Sequence, residues 1–219
     1  IKNELKMHFE TIEMNLLSSM NSFYIETPFI LERSKIPLSF NGDFMARLPF
    51  HSNNLFKELY KGSPQNVLED EERHKLHEVT EEINKIIDGK LTFDNTNHEI
   101  EFENNSGEKY GLLNIATGIK SLGIIQRLLQ NESITKNSIV IIDEPEVHLH
   151  PEWQVKFSNI ILLLHKRLDI KFYINTHSPY IIEAMGVFAD ENNVEIDYYL
   201  AEKVEKQAVF KEIKEENLS

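Results

Sequence analysis

Residues 138–151 read SIVIIDEPEVHLHP. A run of β-branched residues, Ile139 to Ile142, ends abruptly in two adjacent carboxylates, Asp143 and Glu144, and then come Glu146, His148 and His150. A short apolar run bounded by turn formers is the pattern of a buried strand. Two carboxylates at the tip of such a strand are costly to desolvate unless a proton, a metal or a metal-bound nucleotide compensates them. Nothing within the stretch does so.

Composition narrows the answer. The chain has 219 residues, 41% of them hydrophobic and 27% charged, with a formal net charge of −13. That length and balance suit a globular protein with a real core. The acidic surplus argues against a nucleic-acid clamp, which needs clustered Lys and Arg. The absence of cysteine excludes disulfides, Cys-zinc sites and thiol catalysis. No run is long and apolar enough to span a membrane, and the opening IKNELKMHFE lacks the apolar core of a signal peptide. A cytoplasmic protein is expected.

Around the opening stretch the period of the chain changes twice. KNELKMHFETIEMNLLSSM has helical spacing, and FYIETPFIL reads as a strand broken by Pro28. Residues 34–52 read as a loop, with Pro37, Asn41-Gly42 and Pro49 as breakers. SPQNVLEDEERHKLHEVTEEINKIIDG predicts a helix capped by Ser63, opened by Pro64 and closed by Gly89, with Val67, Leu76, Val79, Ile83 and Ile86 on one face. Residues 90–114 predict two or three short antiparallel strands joined by Asn/Gly turns. Then come a helix from Thr117 to about Gln130, the strand Ile139–Ile142, a helix from Pro151 to about Arg167, the strand 171–175, and a short helix after Thr-His-Ser-Pro. Two late strands, EIDYYLAE and QAVFKEI, follow. Apolar strands alternating with helices predict an α/β fold whose parallel sheet is covered on both faces. Ligands of such sheets bind at the carboxyl ends of the strands. Asp143-Glu144 stand at one such end and Thr176-His177-Ser178 at the next.

A hydrophobic strand ending in Asp-Glu suits an NTPase magnesium site. The Asp is placed to hold Mg²⁺ through water, because that ion keeps most of its hydration shell. The Glu can orient the water that attacks a γ-phosphate. The plain alternative is a strand end capped by solvated acids; the second polar cluster, one helix and one strand later, weighs against it.

The segments IVIIDEPEVHLHPEWQ and FYINTHSPYIIEAM resemble the Walker B, D-loop and switch-histidine segments of ABC-type ATPases. They are most similar to the SMC/RecF/OLD-like bacterial group, many of whose members act in DNA repair or phage defence. The resemblance covers residues 105–190 and extends only loosely over the first hundred. It implies half of a P-loop-type parallel sheet flanked by helices, with a helical insertion and a small antiparallel β element. It divides the chain into 1–104, a helical and strand region, and 105–219, the ATPase lobe. It implies Asp143 as the Walker B aspartate holding Mg²⁺ through water, Glu144 as the catalytic glutamate and His177 as the switch histidine. Val147–His150 falls on the D-loop, which ends in Asp in transporter-type members and in His150 here. NIATGIKSLGIIQRLL lies where the signature loop belongs, so Thr117 and Gly118 would present backbone N–H groups to an ATP held by another subunit. The usual signature serine is replaced by Ala116, with Thr117 beside it to supply a hydroxyl.

GLLNIATGIKS mimics a phosphate-binding P-loop, but six residues separate its glycines and Ile119 intervenes before Lys120. No other candidate exists in the sequence. The resemblance therefore implies the C-terminal part of an ATPase whose P-loop precedes Ile1, inactive without it and working as a homodimer closed over ATP. OLD-like members carry a nuclease domain after the ATPase, and YYLAEKVEKQAVFKEIKEENLS holds no acidic nuclease motif. A nuclease partner or domain is thus open, as is DNA contact by the complete protein.

Two other readings compete. Glu144, Glu146, His148, His150 and His177 could ligate zinc or manganese in a hydrolase, although no H-E-x-x-H is present. An ATPase-like fold could also serve only dimerisation. Trp153, directly after the D-loop, reads as a helix-packing residue with an interface role as its alternative.

Overall fold

In the computed structural model the run at 139–142 becomes the central strand of a parallel sheet. The structure describes residues 21–35, 49–61, 68–94, 96–97, 99–147, 149–204 and 207–213. Along the chain these form β1 (Ser22–Ile25), a 3₁₀ segment (Pro28–Lys35), α1 (Phe50–Leu59) and α2 (Asp70–Ile87). Then follow β2 (Gly89–Asp94), β3 (Glu99–Asn104), β4 (Lys109–Gly111), α3 (Thr117–Gln130) and β5 (Ile139–Asp143). The chain continues through α4 (Pro151–Leu168), β6 (Lys171–Asn175), α5 (Pro179–Asn192), β7 (Tyr198–Val204) and β8 (Gln207–Ile213).

The parallel sheet has the order β1-β5-β6. Its register sets Tyr24 beside Ile141 and Ile141 beside Tyr173, and ends with Asp143 beside Asn175. Alternation along each strand sends Phe23, Ile25, Val140 and Ile142 into the core, with Phe172 and Ile174 packed against it. The opposite face leaves Ile141 41% and Tyr173 63% exposed. Among the described residues one face is buried throughout, and the other is covered at Tyr24, which meets His51 of α1, but not at Ile141 and Tyr173. The continuous apolar run of β5 concealed this, because Ile141 has the same character as its buried neighbours.

α3 is the central helix. Leu122, Ile124, Ile125, Leu128 and Leu129 are buried, and it packs against α1, α2, β2 and the 3₁₀ segment. A helix apolar on most sides belongs in the interior, and its polar members are tied down. Gln126 accepts from the Leu91 N–H at 2.7 Å, and Arg127 donates to the carbonyls of Leu59 and Lys61. Lys120, 4% exposed, meets Glu32 at 2.6 Å. The P-loop mimic is thus split between the end of β4, a 3₁₀ turn at Leu112–Asn114 and the first turn of α3, and its lysine already has a carboxylate.

β2, β3 and β4 form an antiparallel meander, and β7 and β8 a hairpin. The expected division at residue 104 falls between β3 and β4, whose backbones pair, and β1 pairs with β5. Leu76, Val79, Thr80, Ile83 and Ile87 form the buried face of α2. That helix starts at Asp70, later than anticipated, where Asp70, Glu71 and Glu72 complement its positive end. Ser63, Pro64 and Val67 lie outside the described residues, as does the helix anticipated over residues 2–20. Within the segment expected to be a loop, Pro49 precedes α1, which begins at Phe50. The helix after Thr-His-Ser-Pro is longer than foreseen, reaching Asn192.

Candidate functional site

β5 and β6 run side by side, so their carboxyl ends deliver two turns to one place. Asp143 is the last residue of β5. Its Oδ1 accepts from the Asn175 side-chain amide at 2.6 Å and its Oδ2 from the Tyr24 hydroxyl at 3.2 Å. Three adjacent strands therefore converge on one carboxylate. Burial, the Asp143 charge and hydrogen bond, and the charge of Glu26 together push the Tyr24 hydroxyl above the ordinary tyrosine range, so it remains a donor.

The Glu144 N–H donates to the Asn175 carbonyl at 2.8 Å, and the chain there turns with φ at +42°. A left-handed conformation costs a non-glycine residue about 1–2 kcal/mol. It aims the Glu144 carboxylate at the neighbouring turn, where Oε1 lies 3.5 Å from His177 Nε2. Both groups are open to solvent, at 45% and 81% side-chain exposure, so their pairing adds little stability.

Glu146 reaches the same neighbouring turn, through that turn's backbone and a hydroxyl. Its Oε1 accepts from the His177 backbone N–H at 2.6 Å and its Oε2 from the Thr176 hydroxyl at 2.8 Å. His150 forms the N-terminal cap of α4, its Nδ1 accepting from the Glu152 N–H at 3.4 Å, ahead of Pro151 at the first helical position. His148 lies outside the described residues. Among the described residues, no three His, Asp or Glu side chains converge to hold a metal. Glu146 and His150, two of the ligands in the hydrolase reading, have these structural partners instead.

Asp143, Glu144 and His177 are thus brought together. Thr117 and Gly118 start α3 with no side chain capping the helix end. Gly118 is buried against Trp153, where an added Cβ would lie 2.5 Å from indole Cδ2. One turn further on, Ser121 lines a pocket with Asp143, Glu144, Glu26 and Thr27. Sequence reasoning missed Tyr24, Asn175 and the role of Glu146. Asn175 had a signal, since both neighbouring strands end in a polar residue and parallel pairing sets those residues side by side.

The donor set suits a hard divalent cation. Asp143 receives only neutral donors, and among the described residues no Lys, Arg or His side chain pairs with it. A carboxylate held in this way is of the kind that binds Mg²⁺ directly or through water.

A family model described as "AAA domain, putative AbiEii toxin, Type IV TA system" matches residues 9–183. The chain is 31% identical over 98 residues to the Retron Vc95 probable ATPase of Vibrio cholerae serotype O1 biovar El Tor, covering 44% of this chain and 18% of that protein. It is 40% identical over 76 residues to the Retron Ec83 probable ATPase of Escherichia coli, covering 34% and 13%. Septu protein PtuA of Bacillus thuringiensis is 37% identical over 49 residues, covering 22% and 12%. The matched segments thus span 12–18% of these relatives' lengths. Among solved structures, the SMC head domain from Thermotoga maritima aligns with a TM-score of 0.44 at 14% identity, covering 74% of this chain and 52% of that one.

Proposed function

The chain belongs to the AAA-domain family that carries the putative AbiEii toxin description, and from that premise we propose that it is the part of an ATPase that triggers hydrolysis at a dimer interface. The observation that carries this reading is the meeting of Asp143, Glu144 and His177 at two adjacent strand ends, with Glu144 and His177 3.5 Å apart. Magnesium bound to ATP would supply charge neutralisation at the phosphates. Asp143, steadied by Tyr24 and Asn175, holds the ion's water shell. Glu144, half-exposed and with no basic partner but His177 among the described residues, orients the attacking water and accepts its proton. His177 offers an imidazole N–H toward the phosphate being cut.

The α3 start offers its backbone N–H groups to the nucleotide of a second copy, with Thr117 foremost because Gly118 is buried against Trp153, and each copy completes the other's site. Such an isologous pairing closes as a two-fold dimer. The turn at Val147, whose side chain is 42% exposed, lies near that axis. ATP acts as the glue and hydrolysis releases it, driving a switch of the kind a defence or repair ATPase would pass to an effector.

The test is Mg²⁺-dependent ATP turnover by the complete protein, compared with Asp143→Asn. Loss of turnover in the variant, with nucleotide binding retained at higher Mg²⁺, supports the assignment. Equal turnover at every Mg²⁺ concentration removes Asp143 from the site. The dimerisation-only reading draws on Lys120, which is held by Glu32. It predicts dimers without turnover.

A further inference from the structure

We propose that Glu146 is a positioning residue: it ties the turn after β6 to the turn after β5, and so sets where the His177 imidazole stands relative to Glu144. This rests on the roles given to Glu144 and His177 above. Both Glu146 oxygens are committed to one short segment, Oε1 to the His177 N–H at 2.6 Å and Oε2 to the Thr176 hydroxyl at 2.8 Å. Hydrogen bonds to an ionised acceptor are shorter and about twice as strong as neutral ones.

The connection continues beyond Glu146. The Thr176 hydroxyl oxygen accepts from the Ser178 N–H at 3.0 Å, and Ser178 Oγ donates to Gln154 Oε1 at 2.5 Å. Gln154 Nε2 returns to the Leu149 carbonyl at 2.9 Å. Ser178 and Gln154 are 6% and 7% exposed, so this end of the chain of bonds is protected from water. The bonds form a closed circuit from residue 146 through 176–178 and back to 149, locking the two turns into one unit.

The His177 ring takes no part in that circuit. Its backbone is held while its side chain, 81% exposed, meets only Glu144 among the described residues, at 3.5 Å. A displacement of about 1 Å in a catalytic group can cost about a hundredfold in rate. Because Glu146 lies in the same turn as Glu144 and Val147, movement of that turn on dimer closure would carry His177 with it.

The test joins two readouts. In the complete protein, hydrogen exchange of the His177 amide is followed by NMR in wild type and Glu146→Ala. In the same protein, kcat and KM for ATP are measured for Glu146→Ala, Glu146→Gln, His177→Ala and the Glu146→Ala/His177→Ala pair. Glu146→Ala is expected to speed His177 amide exchange about tenfold or more and to lower kcat about 10- to 100-fold with KM little changed. Glu146→Gln, which keeps one acceptor oxygen, recovers part of kcat, and the pair is no slower than His177→Ala alone. If Glu146→Ala does not fold, Thr176→Val removes one of the two bonds and should shift both readouts the same way. Unchanged amide exchange, or a kcat loss of equal factor with and without His177, overturns the proposal. Should the wild type hydrolyse no ATP, the reading of Glu144 falls, while amide exchange still decides whether Glu146 holds the turn.

Discussion

Replacing Gly118 by alanine puts a methyl group where the Trp153 indole already stands. A Cβ there would lie 2.5 Å from Cδ2, 2.7 Å from Cε3 and 2.9 Å from Cγ, well inside the roughly 3.5–4.0 Å that carbon pairs hold at contact. The indole is rigid and the Lys156 ammonium sits 4.9 Å from its centre, so relief requires the ring to swing or α3 to part from α4. Overpacking of this kind costs about 1–3 kcal/mol. Against it stands the helix preference of Ala over Gly, about 1 kcal/mol in a helix interior and less at the second residue of α3. The net is a loss of about 1–2 kcal/mol, or a fall in Tm of about 2–8 °C for a chain of this size. Trp153 is the chain's only tryptophan, so urea unfolding followed by its emission reads the contact directly. On a Trp153→Leu background, with unfolding followed by far-UV circular dichroism because the emission is gone, the same alanine should be neutral or stabilising, a coupling of about 1 kcal/mol or more. If Gly118→Ala keeps the wild-type urea midpoint and emission, the indole does not rest on Gly118 and the packing reason for this glycine is wrong. The contact also bears on how a signature loop is tested. The side chain of Gly118→Asp would strike Trp153 before it met any phosphate, so Thr117, half-buried and outside that contact, is the cleaner position.

Further outcomes follow from the same geometry. Isothermal calorimetry of the 219-residue chain with Mg-ATP should show weak or undetectable binding, because its sequence has no P-loop; micromolar affinity would contradict this. Lys120→Ala strands Glu32 and should cost about 2–4 kcal/mol by urea denaturation, whereas an unchanged midpoint would mean that the pair at 2.6 Å does not form in solution. Glu144→Asn, which suits a left-handed φ better, should raise stability by about 0.5–1 kcal/mol, and a loss of stability would argue against strain at this residue.

The parallel strands were legible because β5 and β6 are short apolar runs cut off by polar residues, a signal that needs no long-range information. α3 and α4 were legible to within a residue or so, the first from its small polar start and the second from Pro151. Asp143, Glu144 and His177 could be placed at the strand ends because strand ends are marked locally. What the sequence hid depends on register between distant segments. Tyr24 reaches Asp143 only because β1 pairs with β5, and Glu146 reaches Thr176 only because β5 and β6 end together. α1 was hidden by the breakers around it, since Pro49 both ends a loop and precedes a helix. The exposed sheet face was hidden because Ile141 and Tyr173 look like core residues. Gly118 shows a subtler limit: a glycine at a helix start can serve a phosphate or an indole, and its neighbour Trp153 lies far along the chain.

The central claim is that Glu144 activates the water that cleaves ATP. Its most direct test is single-turnover hydrolysis by the complete protein carrying Glu144→Gln, with bound ATP and oligomeric state followed in the same sample by filter binding and light scattering. The substitution keeps the volume and removes the charge, and a general base is worth about 10²–10⁴ in rate. The account predicts that Glu144→Gln binds ATP, gathers as an ATP-dependent dimer and cleaves at least about a hundredfold more slowly than wild type. Hydrolysis at the wild-type rate would contradict it.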